Sequence, residues 1–145
     1  MAIKALLIEA QAIQVGVREK DWQKVIEMAA RPLVENGYIL PSYHQAVIAN
    51  TLEHGAYYVF EEGIAMPHAR PECGVLKNSF SLLLLDEPIG FADSDKADIV
   101  IMFAAKDSNA HIEEGIRAIV NWLGDDDVMA KLRKAKAKEE VIAIL

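Results

Sequence analysis

Apolar positions along the chain follow two different periods. Trp22, Val25, Ile26 and Ala29 fall three and four residues apart, which puts them on one face of a helix. Asp21 stands just before that face and reads as its N-cap, with a carboxylate able to accept an orphan backbone N–H. The pattern continues through Leu33 and Val34 to Gly37, a residue suited to closing a helix. Pro32 lacks an N–H and predicts a bend. A second helix is predicted over residues 42–54, with Ser42 as its cap, Tyr43, Val47 and Leu52 among its apolar positions, and Gly55 as its terminator. His44 and His54 lie on this element.

The middle of the chain has no helical period. Short runs over residues 57–60 and 63–66 lead into Pro67, and residues 79–85 and 99–104 are apolar stretches of strand length. Such runs fit strands buried on both faces. Beyond Lys106, the capping residues Asp107, Ser108 and Asn109 precede a helix through Ile112, Ile116, Ile119, Val120 and Leu123, which Gly124 can close. His111 falls near its start. Asp125, Asp126 and Asp127 open another helix, and the basic cluster in residues 131–138 lies towards its end, both favourable to the helix dipole. Residues 139–145 read as a final short helix. Helices alternating with buried strands predict a single α/β domain over residues 1–145, without linker, internal repeat or low-complexity tract.

Composition narrows the chemistry. Hydrophobic residues make up 52% of the chain, too many for a disordered polymer. The longest purely apolar run, residues 99–105, is far below the ~20 residues of a spanning helix. The start lacks a basic-then-apolar signal pattern, so a cytoplasmic location without membrane insertion is expected. A net charge of −7 disfavours nucleic acid as a partner and suits docking to a basic protein. Cys73 is the only cysteine, which excludes an internal disulfide and a multi-thiolate metal site.

The most informative segment is Gly63-Ile64-Ala65-Met66-Pro67-His68-Ala69-Arg70-Pro71-Glu72, in which a histidine is pinned between two prolines. Few backbone conformations remain there. A histidine that attacks phosphorus must aim one lone pair in line, and positioning is most of the catalysis in phosphoryl transfer. In an extended segment Arg70 would project to the same side as His68, where a guanidinium could stabilise phosphate. Without further information a loop histidine reads first as an exposed side chain, and Arg70 could simply pair with an acid.

Gly63-Ile64-Ala65-Met66-Pro67-His68 resembles the active-site signature of the mannitol and fructose class of IIA proteins of the bacterial sugar phosphotransferase system. The continuation Ala69-Arg70-Pro71-Glu72-Cys73-Gly74-Val75 is similar to the ascorbate-specific branch. The resemblance implies a mixed central sheet flanked by helices. It also implies that His68 accepts phosphate from the phosphocarrier HPr and passes it to a IIB component, which in turn feeds a membrane IIC permease. Asp107-Ser108-Asn109-Ala110-His111 resembles the family's second histidine near a later helix start, where free N–H groups attract phosphate, and this gives His111 an assisting role. Mannitol-type members carry an Arg-Glu pair on the helix before the signature. Counted from Tyr43, those positions hold Asn50 and Thr51, leaving Arg70 as the best candidate to neutralise phosphate.

The exchange implied needs no metal, nucleotide or organic cofactor. His54 reads as a helix-end residue, and His44 as less suited to chemistry still. Cys73 reads as a small filler, since the glycine-rich phosphate loop of a phosphocysteine site is missing. Glu61 and Glu62 could hold a histidine tautomer or form a solvated face. The competing readings are a regulatory module signalling through its phosphorylation state, a IIA protein for another pentose or pentitol, and a metal site built from His54, His68 and His111.

Overall fold

The computed structural model describes residues 3–60, 62–106 and 109–145, and of residues 109–112 the backbone alone. Two elements that the apolar pattern does not resolve come first, the helix α1 (Ile3–Glu9) and the strand β1 (Ile13–Val17). Helix α2 (Trp22–Glu35) starts where expected. The Asp21 carboxylate accepts from the Gln23 amide at 2.9 Å, a cap worth about 1 kcal/mol. It ends as Gly37 takes a φ of +80°. The Tyr38 amide then reaches back to the Leu33 carbonyl at 2.8 Å and the Gly37 amide to that of Val34 at 3.3 Å, satisfying carbonyls the helix end leaves free. Pro32 sits inside α2, and the carbonyl it leaves without a helical partner is that of Met28. Gln14 of β1 donates its side-chain amide there at 2.8 Å, so strand and helix are pinned together at the proline's gap.

Helix α3 (Pro41–His54) begins one residue earlier than predicted, and Ser42 is not its cap. Leu40 is the N-cap and Pro41 the first helical residue, where a fixed φ and a missing N–H cost nothing. The Ser42 hydroxyl instead donates to the Cys73 carbonyl at 2.8 Å. Gly55 closes α3 with a φ of +84°.

Next come β2 (Val59–Phe60), β3 (Ile64–Ala65), a single 3-10 turn at Pro71–Cys73, β4 (Ser79–Gly90) and β5 (Lys96–Ala104). Strand β4 outruns its apolar core because pairing with β5 resumes at Ile89 opposite Ala97, past an irregularity after Leu84. The sheet order is β1-β4-β5-β3-β2; β1 is parallel to β4 and β3 to β5, while β4–β5 and β2–β3 are antiparallel. It is therefore mixed, as expected.

Helix α4 (Asn109–Leu123) follows; its expected caps Asp107 and Ser108 lie outside the described residues. Asp125 caps α5 (Asp126–Lys134) by accepting from the Asp127 amide at 2.9 Å, and Lys131, Arg133 and Lys134 fill its last turn. The chain closes with α6 (Lys138–Ile144). Alternate residues of the long strands feed separate cores. Leu83, Leu85, Val100, Met102 and Ala104 pack with α2 and α3, whereas Leu82, Leu84, Ile99, Ile101 and Phe103 pack with α1, α4, α5 and α6. Helices cover both faces, which accounts for strands that read as unbroken apolar runs.

Candidate functional site

The site lies at the end of the sheet where β3 and β5 both finish. Their parallel register pairs Ile64 with Ile99 and Ala65 with Val100. Carried three residues further, it sets His68 beside Phe103, and the Phe103 amide donates to the Pro67 carbonyl at 3.3 Å. On the other side the Met66 amide donates to the Tyr58 carbonyl at 3.0 Å. The segment after β3 therefore continues along the strand direction, as flanking prolines that disfavour helix require. The glycine of the motif has a separate reason. Gly63 has a φ of +84°, and a Cβ there would lie 2.8 Å from the Arg133 guanidinium. That guanidinium donates to the Glu62 carbonyl at 2.6 Å and pairs with Asp98 at 3.0 Å, fixing the turn that feeds β3.

His68 Nδ1 stands 2.8 Å from the Met66 carbonyl oxygen. A carbonyl only accepts, so Nδ1 carries the proton and Nε2 the lone pair. The ring stacks on Phe103 at 4.7 Å between centroids with planes 28° apart, and meets the edge of Tyr57 at 5.7 Å. Burial pushes the His68 pKa below the usual histidine value, against a weaker upward pull from the Met66 hydrogen bond. The imidazole is thus a neutral, oriented base at neutral pH, the form a nucleophile needs.

A cleft of about 520 Å³ opens beside it, lined by Asn50, His54, Tyr57, His68, Arg70 and Cys73 among others. Arg70 is extended, with φ −70° and ψ 150°, and exposed. The expected juxtaposition of Arg70 and His68 on one surface is present, and among the described residues no acid pairs with the guanidinium. Asn50, standing where mannitol-type members have arginine, faces the same cleft. Thr51 does not, since its buried hydroxyl bonds to the Val47 carbonyl and the Tyr58 hydroxyl, both at 2.8 Å. Burial pushes the Tyr58 hydroxyl up to about 12, so it remains a donor. His54 ends α3 as expected, and its exposed ring reaches into the cleft besides lying 3.8 Å from Glu53.

His111 is the third residue of α4, and its side chain lies outside the described residues. One turn later Gly115 packs against Phe103, the residue beneath His68. Glu62 is brought elsewhere, to a groove with Asp126, Met129 and Arg133. The His68 tautomer is held by a backbone carbonyl rather than by that carboxylate, and Glu61 lies outside the described residues. Cys73 is a half-buried free thiol in the cleft wall. His44 does not line the cleft; its Nδ1 is buried without a hydrogen-bond partner among the described residues, and burial lowers its pKa. Sequence reasoning missed Tyr57, Phe103 and the hydroxyl of Tyr43. The only available signal for the last was that a tyrosine on a core-facing stripe must find a partner for its oxygen.

Comparison with known proteins places this arrangement in a class. The family described as "Phosphoenolpyruvate-dependent sugar phosphotransferase system, EIIA 2" matches residues 6–145, and the chain belongs to it. It is thus a phosphotransferase component of the phosphoryl-carrying IIA type. The chain is 36% identical over 147 aligned positions to the "Ascorbate-specific PTS system EIIA component" of Escherichia coli K12, covering 100% of this chain and 96% of that one. Its fold matches the mannitol-specific cryptic phosphotransferase enzyme IIA CmtB of E. coli with a TM-score of 0.87 at 33% identity, covering 99% and 97% of the two chains. It also matches the mannitol IIA of E. coli solved in complex with phosphorylated mannitol IIB, with a TM-score of 0.80 at 29% identity over 93% and 94%. Among the described residues no helix is long and apolar enough to cross a membrane.

Proposed function

We propose that His68 Nε2 is the phosphoryl acceptor, that phospho-HPr is the donor, and that a IIB component of a cytoplasmic L-ascorbate uptake route is the recipient. The observation carrying this is the Met66 carbonyl bonded to Nδ1, which leaves the lone pair on the nitrogen not engaged by the backbone. In the first step Nε2 attacks the phosphorus of the donor phosphohistidine. A new N–P bond forms while the old one breaks, and its electron pair returns to the donor imidazole. In the second step a thiolate of IIB attacks the same phosphorus, and the pair returns to Nε2. Nδ1 keeps its proton throughout, and the Met66 carbonyl stabilises the positive character of the phosphorylated ring. Arg70, with which no acid pairs among the described residues, meets the phosphoryl oxygens. His111, in the first turn of α4, assists alongside the free N–H groups of that helix start. The bond energy is conserved through exchange, so no cofactor enters, and the permease IIC is reached only through IIB.

Ascorbate as the transported compound rests on the relatives so named and on the segment from Pro67 to Val75. The test is to phosphorylate the protein with phosphoenolpyruvate, the energy-coupling enzyme and HPr, then mix it with purified ascorbate, mannitol and galactitol IIB domains. The ascorbate acceptor should show the fastest initial transfer. Preference for either other acceptor removes ascorbate but leaves the carrier role, whereas full labelling of His68→Ala removes the acceptor assignment itself.

A further inference from the structure

The ladder between the His68 segment and β5 is interrupted at one rung, and a side-chain oxygen occupies the gap. In a parallel pair, bonds alternate along one strand. After the Phe103 amide has donated to Pro67, the next rung would run from the Ala69 amide directly to the Phe103 carbonyl. Instead the Ala69 amide donates to the Tyr43 hydroxyl at 2.9 Å, and that hydroxyl lies 2.7 Å from the Phe103 carbonyl, to which it donates. The Ala69 carbonyl stands further off, at 3.3 Å. The single phenolic proton and one lone pair thus rebuild the missing rung through an extra oxygen.

Tyr43 is fully buried, and it belongs to α3, which also presents Asn50 and His54 to the cleft. Burial raises its pKa far above neutrality, so the proton that the bridge needs is always present. The two groups it joins are the residue following His68 and the residue on which the imidazole stacks. Inserting an oxygen holds the His68 segment away from β5 by more than a direct bond would allow, while fixing how far.

We infer that Tyr43 is a positioning residue of the transfer reaction, its hydroxyl setting the separation between the His68 segment and Phe103 and hence the direction of Nε2. This rests on the reading of His68 as acceptor. In Tyr43→Phe, the Ala69 amide and Phe103 carbonyl either close into the direct rung, drawing the His68 segment towards β5, or lose the bridge that fixes their separation, and both outcomes change how the imidazole is held. The aiming of a nucleophile is sensitive to shifts of about 1 Å.

The experiment compares wild type, Tyr43→Phe and Ser81→Ala. Ser81 supplies a control, because its buried hydroxyl donates to the Ala29 carbonyl at 2.6 Å against α2, away from the cleft. Three properties are measured: thermal midpoint, kcat and KM for phospho-HPr, and the ring 15N spectrum of His68, which distinguishes its tautomers. Tyr43→Phe should lower kcat at least about tenfold with KM little changed, and shift the His68 ring signals. Ser81→Ala should lose thermal stability with kcat and the His68 signals intact. Equal kcat values for the two variants, or unshifted His68 signals in Tyr43→Phe, would overturn the inference. Should Tyr43→Phe fail to fold, 3,5-difluorotyrosine at position 43 keeps the shape but weakens the acceptor, and unchanged His68 signals and kcat there would overturn it equally. If labelling persists in His68→Ala, the acceptor reading fails, while the 15N spectra still decide whether Tyr43 sets the ring.

Discussion

The rings of His68 and Phe103 stack at 4.7 Å because the two residues stand opposite each other in the continued parallel register of β3 and β5. Such a contact contributes about 0.5–1.5 kcal/mol beyond the area it buries, and it fixes a ring plane that a hydrogen bond at Nδ1 alone would leave free to tilt. Phe103 is itself pressed from behind by α4.

That pressure makes Gly115 a sensitive position. A Cβ at 115 would lie 2.9 Å from Phe103 Cδ2. Gly115→Ala gains about 1 kcal/mol of helix propensity but overpacks a buried ring, at a cost of about 1–3 kcal/mol. The expected result is no gain in thermal midpoint and slower phosphorylation as Phe103 is pushed into His68. A clear rise in midpoint with wild-type transfer would show that α4 yields without cost.

The depressed pKa of His68 fixes a pH dependence. Its neutral form persists below the ordinary histidine value of about 6.5, so NMR titration should place its midpoint below that of a free imidazole. The sign for stability follows. A histidine with a lowered native pKa binds fewer protons folded than unfolded, so stability is intact above about 6.5 and declines as pH falls through that value. His44, also depressed by burial, acts in the same direction. Urea midpoints at pH 7.5 and 5.5 should differ less in His44→Gln than in wild type; an undiminished difference would clear His44 of the effect.

Arg70 and His54 share the cleft with His68; no acid pairs with Arg70 among the described residues, and His54 lies 3.8 Å from Glu53. One charge-assisted hydrogen bond to a phosphoryl oxygen is worth about 1.5–3 kcal/mol, or roughly 10–100-fold in rate. Arg70→Ala should slow acceptance by that order, with Arg70→Lys between it and wild type because the charge remains and the planar fork is lost. His54→Gln should cost less than Arg70→Ala. Equal rates for wild type and both Arg70 variants would remove the guanidinium from the reaction.

His111→Ala is expected to fold like wild type and to transfer more slowly, above all onward to IIB, since the first turn of α4 offers donors that favour a phosphoryl dianion. Stopped-flow rates in both directions read this out. Identical rates would reduce His111 to a surface residue.

Much of the molecule was legible along the chain because its signals are local. Asp21 and Asp125 cap the helices they precede, Gly37, Gly55 and Gly124 lie at helix ends, and the runs in β4 and β5 betray a sheet covered on both faces. Two prolines around His68 marked a constrained histidine before any contact was known. Strand β1 carries no unbroken apolar run like those of β4 and β5, because its five residues alternate through Gln14 and Gly16, and Gln14 fills the carbonyl left by Pro32 in another element.

The sequence alone determined the alternation of helix and strand and a histidine constrained by two prolines, since spacing, caps and prolines act within a few residues of each other, and the class of protein came through the resemblance of residues 63–75 to a known signature. Only the tertiary structure decided which nitrogen of His68 is free and which rings enclose it. It alone brought Arg70, Asn50 and His54 to one cleft and set the Tyr43 hydroxyl in a missing rung. The physical reason is that each of these depends on where separate strands and helices end relative to one another. A side chain's hydrogen-bond partner 26 or 60 residues away leaves no periodic trace in the chain.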